Sequence, residues 1–263
     1  MDYAVVCLVA LLAAALTFFS GFGLGTLLMP ALAFFMPLPV AVAATAVVHL
    51  ANNLFKAALV GRHANISVLV RFAIPAIIAA LAGAWLLEII AARTLPLVAW
   101  QAGTRTFDIT LLKLIIAAIM LAFAAMELWP TFSKWSIHER WLPLGGVISG
   151  FFGGLSGHQG ALRAAFLARA NLSKEAFIGT GVISAVAVDL ARLFVYAIAM
   201  RTSHFGDITR EGRWGLVIAA SAAALAGSLL GARLIDKVTI HGVRITVGIM
   251  LAIIGLALGA GLI

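Results

Sequence analysis

Long apolar stretches constrain the fold of this chain more than any other feature. The apolar runs cover 4–19, 26–36, 40–60, 67–90, 111–128, 142–153, 161–168, 174–200, 214–235 and 243–263. A helix needs about 20 apolar residues to cross a bilayer, and five or six of these runs reach that length. Only 11% of the residues are charged, whereas soluble domains carry about a quarter. We therefore predict an all-α integral membrane protein with several transmembrane segments.

The charge balance and the single cysteine exclude other classes of protein. The formal net charge of +8 is typical of membrane proteins whose loops meet anionic headgroups, and no continuous basic face indicates nucleic-acid binding. Cys7 is the only cysteine, so no disulfide can form within the chain. The first residues, MDYAVVCLV, lack the basic segment of a cleavable signal peptide. We expect the first apolar run to stay in the lipid bilayer and no nucleic acid to bind.

Two glycine-rich stretches interrupt pairs of short apolar runs. The first is SGFGLG at 20–25, and the second is GGLSGHQG at 153–160. At about 1.5 Å per residue, the short run 26–36 covers only half of a bilayer. Each pair therefore reads as a broken or re-entrant helix, and we predict that the helices restart near Gly25 and Gly160.

The two interruptions occupy matching places in an internal repeat. When Gly25 is aligned with Gly160, the following residues run without a gap to Thr45 and Thr180. Two further landmarks recur in the same order, the second after a longer interval: NLFK (53–56) with DLAR (189–192), and AALAG (79–83) with AALAG (223–227). The four landmarks together indicate a duplicated chain.

The repeat defines the expected domains and limits the topology. We predict a first transmembrane repeat at 1–128, a polar linker at 129–141 and a second transmembrane repeat at 142–263. If each short pair crosses twice, the chain has ten crossings and two inverted halves of five; if once, it has eight and parallel halves. The distribution of Lys and Arg favours ten, because it puts more of them on the cytoplasmic side.

Broken helices in matching halves are typical of the binding sites of secondary transporters. The bilayer core offers no water to the free N–H groups where a helix restarts. Those groups are therefore expected to line a cavity near mid-membrane, where the positive helix end attracts an anion. The alternative is that the glycines only allow helices to pack closely.

Polar residues inside the long apolar runs indicate the same kind of site. The run 40–60 carries a polar stripe at helical spacing: His49, Asn52, Asn53 and Lys56. A charge at mid-membrane costs about 2.5 kcal/mol or more, so it normally faces a cavity or a partner. Asp189 and Arg192 can pair on one helix face, either structurally or as part of a substrate site. Arg163 lies one turn into the second short helix, where it either binds substrate or snorkels to the surface.

The stretch GGLSGHQGALRAAFL (153–167), followed by LSKEAFIGTGV (172–182), resembles the second-half motif of the sulfite exporter TauE/SafE family. The order of two glycine-rich breaks, each followed by a short helix and a helix with Asn or Asp and Lys or Arg, is similar to that family across nearly the whole chain. The first-half stretch SGFGLGTLLMP (20–30) has fewer glycines than the family's signature. The resemblance implies a multi-pass, proton-coupled carrier of sulfite, organosulfonates or related small organic anions.

We therefore predict a secondary transporter of the inner cell membrane, an exporter of small anions and not an enzyme, with a homodimer considered as its assembly. The residues predicted to bind the anion are Gly25, Thr26, Asn52, Asn53, Lys56, Ser156, Gly157, His158, Gln159, Gly160, Arg163 and Arg192. The candidates for proton coupling are His49, His158 and Asp189. No zinc motif or nucleotide-binding loop is present, so we expect no metal and no cofactor.

Two other functions are compatible with parts of the sequence. GLSG at 154–157 matches the G-x-S-G nucleophile pattern of rhomboid intramembrane proteases, and His49 with Asn53 resembles their His-x-x-x-Asn pattern. Such a serine needs a histidine base within hydrogen-bond distance, and His158 lies on the same turn as Ser156. A passive anion channel is the other alternative.

Overall fold

The computed structural model describes residues 2–16, 18, 23–93, 95–129, 138–168, 170–202, 213–233 and 240–263. Ten α-helices and one β-hairpin occupy this part of the chain. The helices are α1 (Asp2–Leu16), α2 (Leu24–Ala33), α3 (Leu38–Val60), α4 (Ile66–Ala91), α5 (Leu111–Leu128), α6 (Leu142–Ser156), α7 (Gly160–Leu167), α8 (Lys174–Thr202), α9 (Trp214–Arg233) and α10 (Ile240–Gly259). Short 3₁₀ turns follow α3 at Gly61–His63 and precede α6 at Glu139–Trp141.

The helices have the length and the surface of a membrane protein. Five segments are long and apolar enough to cross a bilayer: Leu38–His63, Ile66–Ala91, Leu111–Leu128, Lys174–Ala199 and Trp214–Ala232. Large apolar side chains cover the outer surface, where for example Ile78 is 64% exposed and Ile218 is 66% exposed. A water-soluble protein does not expose such a surface on most of its helices, because it would bind lipid or aggregate. The prediction of a helical, multi-pass membrane protein is confirmed.

A β-hairpin between α4 and α5 is a feature that the sequence analysis did not predict. Its strands are β1 (Pro96–Ala102) and β2 (Arg105–Thr110), joined at Gly103, which has a left-handed φ of 62°. Trp100 stacks on Phe107 across the pair at 4.7 Å, and its indole N–H donates to the Ala260 carbonyl at 2.8 Å. The hairpin thus packs on the end of α10, and this contact is too distant in sequence to be read from local pattern.

Helix ends follow ordinary capping rules where polar residues are available. The Asn65 side chain accepts from the Val68 amide at 3.1 Å and starts α4, and the Thr110 hydroxyl accepts from the Lys113 amide at 3.2 Å and starts α5. Such side chains satisfy amides that the first turn leaves free. The cap residue of α6 is Gly157, whose left-handed φ of 81° ends that helix.

Glycines bring two pairs of helices into backbone contact. On α6, Gly146, Gly150 and Gly154 recur every four residues, and a Cβ at Gly150 or Gly154 would overlap the Ala76 or Ala80 carbonyl of α4. Two further glycines, Gly227 and Gly231 on α9, face the α1 backbone at Leu11 and Ala15 in the same way. Close packing by small residues stabilises helix pairs in membranes. The close-packing interpretation is therefore correct for Gly154, at the start of the second glycine-rich stretch.

The central pair of helices is α3 and α8, which contact each other and are more buried than the other candidate spans. Helix α4 packs on α8 and α6, and α9 packs on α3 and α1. Helices α5 and α10 form a further pair. This arrangement keeps the polar residues of α3 and α8 away from lipid, which could not satisfy their hydrogen bonds.

Two interruptions separate short helices near this centre. Helix α1 ends at Leu16 and α2 begins at Leu24, one residue before the predicted restart. Helix α6 ends at Ser156 and α7 begins at Gly160, the predicted position. Half of the 20–25 stretch and most of the predicted linker at 129–141 lie outside the described residues.

Candidate anion site

Asp189 on α8 lies at the centre of a buried polar network and is itself fully buried. Its Oδ2 atom lies 2.7 Å from His49 Nδ1 and 3.2 Å from Asn53 Nδ2, both on α3. Its Oδ1 atom accepts from Arg192 Nη2 at 2.7 Å and from Gln159 Nε2 at 3.1 Å. Donors from α3, from α8 and from the turn between α6 and α7 therefore engage both carboxylate oxygens.

The protonation of His49 follows from its neighbours. A carboxylate can only accept, so the short contact with Asp189 requires the proton of His49 on Nδ1. Asn53 Nδ2 also lies 2.9 Å from that nitrogen, but two donors cannot bond to each other. The Asn53 amide therefore donates to Asp189 Oδ2, and His49 donates to the same oxygen.

Arg192 joins α8 to the end of α6. Its Nε and Nη2 atoms both donate to Asp189 Oδ1, at 3.0 and 2.7 Å, and its Nη1 donates to the Gly153 carbonyl at 3.4 Å. The pairing expected from the spacing of Asp189 and Arg192 is present. One turn further along α8, the Tyr196 hydroxyl donates to the Gly154 carbonyl. A Cβ at Gly157 would lie 3.0 Å from Arg192 Nη1, so the turn that ends α6 leaves room for the guanidinium.

Arg163 on α7 is buried inside the protein and does not snorkel to the surface. Its Nη1 donates to Gln159 Oε1 at 3.2 Å, and the same glutamine donates to Asp189. The side chain crosses α8 at Gly181, where a Cβ would lie 3.7 Å from Arg163 Nε. The negative charge of Asp189 attracts this guanidinium. Arg163 is thus connected to the Asp189 carboxylate through the side-chain amide of Gln159.

Lys56 is a third buried cation, two helical turns along α3 from His49. Its Nζ lies 5.0 Å from the centre of the Phe18 ring, between α1 and α2. Such a cation–π contact compensates only part of the cost of burying an ammonium group. The Lys56 and Arg163 charges are close enough to repel each other.

The beginning of α2 and the turn after α6 meet beside His49. A Cβ at Gly25 would lie 3.4 Å from the Gly157 carbonyl oxygen, 3.6 Å from His49 Cδ2 and 3.9 Å from Thr45 Cγ2. The two glycine-rich stretches are therefore in contact although 132 positions separate Gly25 from Gly157. Thr45 is 1% exposed, and within the described part of the chain its hydroxyl has no hydrogen-bond partner.

The profile of the family described as sulfite exporter TauE/SafE matches residues 6–258. The chain belongs to the TauE/SafE family. The match includes both interruptions and every residue of the buried network. No curated protein and no solved structure matches the chain.

Some of the residues predicted to bind the anion in this TauE/SafE protein have other partners. Asn52 turns towards α9, where the Ser228 hydroxyl donates to its Oδ1 at 2.6 Å. The Thr26 hydroxyl donates to the Gly23 carbonyl at 2.7 Å and so closes the first turn of α2. His49, Asn53, Gln159, Arg163, Asp189 and Arg192 form one connected network. Gly25, Gly157 and Gly160 belong to the adjoining backbone, and Lys56 lies beyond the network at Phe18.

Ser156 and His158 are not arranged as a nucleophile and its base. The Ser156 hydroxyl donates to the Phe152 carbonyl at 3.0 Å, so its proton does not point at a histidine nitrogen. His158 Nδ1 lies 3.0 Å from the Ser156 carbonyl oxygen and 3.1 Å from its hydroxyl, and the ring stacks on Phe123 at 5.7 Å. A serine nucleophile has to donate to the base. Together with membership of the TauE/SafE family, this geometry does not favour the protease.

Polar residues of the TauE/SafE core that the sequence analysis missed also contact the network or lie close to it. Tyr196 lies four residues after Arg192, a spacing that could have indicated the same face of α8. Glu88 on α4 has a buried carboxylate oxygen without a partner within the described residues, and its charge acts on Tyr196. Glu88 could have been recognised from the sequence, because it is an acidic residue within the 26-residue apolar helix α4. Among the described residues, no group of His, Cys, Asp and Glu could hold a metal ion.

Proposed function

We propose that the chain exports a small sulfur oxyanion across the inner cell membrane and binds it beside Asp189, where α2 begins and α6 ends. The observation that carries this proposal is the charge of the core. Lys56, Arg163 and Arg192 are buried there with the carboxylate of Asp189. Among the described residues, the buried acid Glu127 pairs elsewhere, with Arg244 of α10 at 2.9 Å, and one carboxylate oxygen of Glu88 on α4 is also buried. An excess of buried positive charge is costly unless an anion compensates it.

The helix ends at the two interruptions support an anion as the ligand. Helix α2 follows Gly23 and α7 follows Gln159, and neither residue caps its helix with a side-chain hydrogen bond. No capping side chain therefore occupies the first amides of either helix, and the positive ends of the helix dipoles add to the field of the cations. The contact between Gly25 and the Gly157 carbonyl brings the two regions together.

Helix packing supports the proposed duplication into 1–128 and 142–263. Counting the five helices described in each half, the first helix of either half packs on the fourth helix of the other, as α1 does on α9 and α6 does on α4. The third helices, α3 and α8, pack on each other, and so do the fifth helices, α5 and α10. An odd number of crossings per half makes the halves inverted, as in many secondary transporters.

The pair of His49 and Asp189 is the proposed proton site. Its Nδ1–Oδ2 distance is 2.7 Å, and the histidine also borders Gly25 at the proposed anion site. Protonation of His49 would add a positive charge next to the anion, and release of the proton would remove it. Binding of a proton and binding of an anion would then favour each other, as cotransport of the two in the same direction requires.

Flux measurements in vesicles test the proposal. Purified protein is reconstituted, the vesicles are loaded with sulfite, and its efflux is measured with and without a pH gradient. We expect sulfite to leave these vesicles faster than it leaves protein-free vesicles loaded in the same way. We expect Arg163→Gln to abolish this difference. The matched control is Arg71→Gln, which removes an exposed arginine of α4 and should leave the flux unchanged. Absence of flux, together with absence of any stabilisation by sulfite or other oxyanions, would overturn the proposed function.

A further inference from the structure

We propose that Thr45 on α3 is a ligand-binding residue, whose buried hydroxyl donates a hydrogen bond to the bound anion. This inference rests on the proposed function and adds a binding residue that the sequence analysis did not include among the site residues. It depends on the hydrogen bonding of the buried polar groups, on the position of Thr45 beside the beginning of α2, and on a comparison with Thr180.

Thr45 is an exception among the buried hydroxyl groups of the described residues. The residue is 1% exposed, and its Oγ1 atom has no hydrogen-bond partner within that part of the chain. The other buried serine and threonine hydroxyls each have one, at Thr26, Ser149, Ser156, Thr180, Ser184 and Ser228. Burying a hydroxyl without a partner is unfavourable, so this group calls for a physical explanation, and a ligand provides one.

Thr45 is also the unpartnered group that suits an anion. Two other buried side-chain atoms of the described residues lack a partner, Glu88 Oε1 and His158 Nε2. The Glu88 carboxylate can only accept hydrogen bonds, and its charge repels an anion. His158 Nδ1 lies 3.0 Å from the Ser156 carbonyl oxygen, so the proton of the neutral ring is on that nitrogen and Nε2 is an acceptor. Of these three atoms, only the Thr45 hydroxyl oxygen carries a hydrogen that it can donate to an oxyanion.

The Thr45 side chain borders the beginning of α2. A Cβ at Gly25 would lie 3.9 Å from Thr45 Cγ2 and 3.6 Å from His49 Cδ2, so two successive turns of α3 contact the same glycine. Helix α2 has ten residues, and Gly23 before it provides no capping side chain. The amides of the first turn of a helix attract anions. An anion bound at this helix end would therefore have the backbone amides of α2 on one side and the Thr45 hydroxyl on the other.

Thr180 provides a comparison within the chain, because it occupies the equivalent place in the proposed repeat. It is as deeply buried as Thr45, but its hydroxyl accepts from the Asn65 amide at 2.9 Å. This hydrogen bond fastens the start of α4 to α8. The same residue type thus has a structural partner in the second half, whereas in the first half its hydroxyl is left for a ligand.

Isothermal titration of the purified protein with sulfite tests the role of Thr45. Thr45→Val replaces the hydroxyl with a methyl group of similar size, and Thr45→Ser keeps the hydroxyl. We expect the dissociation constant for sulfite to rise by about tenfold or more in Thr45→Val, the scale of one hydrogen bond to a charged group. In Thr45→Ser it should rise by less than about threefold, because the donor is retained. Wild-type affinity in Thr45→Val would overturn the inference.

Melting temperatures measured without sulfite separate a binding role from a structural one. Thr45→Val should melt no lower than wild-type protein, because the hydroxyl that it removes has no partner among the described residues. Thr180→Val is the matched control and should melt at a lower temperature, because the Asn65 amide loses its acceptor. A fall in Thr45→Val as large as that in Thr180→Val would show a structural role and overturn the inference. Failure of the proposed function would be seen in wild-type protein itself, which would then neither bind sulfite nor carry it across the vesicle membrane.

Discussion

Asn53 and Asp189, which occupy equivalent places in the two halves of the repeat alignment, are hydrogen bonded to each other, with 3.2 Å between Asn53 Nδ2 and Asp189 Oδ2. In the proposed duplication, this contact would lie on a pseudo-twofold axis between the two halves. The acid in one repeat and the amide in the other would make that axis chemically asymmetric. The network around Asp189 joins α3 and α8, and a change on either helix should affect the same site.

Arg192→Ala should destabilise the protein by about 3–5 kcal/mol, the usual cost of leaving one partner of a buried ion pair uncompensated. The Asp189 carboxylate would lose a direct ion pair and two short hydrogen bonds. Denaturant unfolding of the purified protein measures the loss. The double variant Asp189→Leu with Arg192→Met should be more stable than Arg192→Ala, because no isolated charge remains. Lower stability of the double variant would contradict this account.

Arg163→Lys should keep the fold but weaken anion binding by about 1–3 kcal/mol, the range of hydrogen bonds to charged groups. A lysine retains the charge but lacks the fork that can bind two oxygens while contacting Gln159. Titration with sulfite measures the change, and Arg71→Lys on the exposed side of α4 serves as control. Wild-type affinity in Arg163→Lys would show that the guanidinium does not touch the anion.

Gly157→Ala should destabilise the protein by at least about 1–2 kcal/mol, since a left-handed backbone is unfavourable for residues with a Cβ. The φ of Gly157 is 81°, and its Cβ would lie 3.0 Å from Arg192 Nη1. Gly181→Ala is the matched control, because a Cβ there makes an ordinary contact at 3.7 Å with Arg163 Nε and alanine favours the helix. Thermal unfolding measures the melting temperatures of the two variants. Equal melting temperatures would show that a side chain at position 157 causes no backbone strain.

Ser156→Ala should leave anion transport intact and cost about 0.5–1.5 kcal/mol of stability, the net value of one hydrogen bond. The hydroxyl donates to the Phe152 carbonyl within α6. Transport and peptide hydrolysis are measured on the same preparation. Wild-type hydrolysis of a membrane peptide that disappears in Ser156→Ala, without transport by either protein, would replace the carrier with a protease.

His49→Gln should uncouple transport from the pH gradient while anion binding at constant pH persists. Glutamine can donate to Asp189 in place of the imidazole but does not titrate near neutral pH. Efflux from vesicles with and without a pH gradient measures the coupling. The control is His63→Gln, at an exposed histidine after α3. Full dependence on the gradient in His49→Gln would exclude His49 as the proton site.

The predicted stripe on α3 shows how far local pattern reaches. His49, Asn52, Asn53 and Lys56 do lie towards the protein interior, as their helical spacing predicts. Consecutive residues on a helix are about 100° apart, so Asn52 and Asn53 lie on opposite edges of the stripe. Asn53 reaches Asp189 on α8, and Asn52 reaches Ser228 on α9. The neighbour that each residue contacts depends on how the helices pack, and the spacing of residues in the sequence does not predict it.

The sequence by itself determined the membrane class, the family and the residues of the connected polar network around Asp189. Long apolar runs with few charges are stable only in the lipid bilayer. Each polar or charged residue within such a run needs a partner or a ligand that compensates the cost of its burial. Only the tertiary structure decided those partners. Gly25 meets Gly157, Asp189 joins Arg192 to His49, and Lys56 lies over the Phe18 ring. The physical reason is that hydrogen bonds and ion pairs act over a few ångströms, whereas these groups come from helices far apart in the chain.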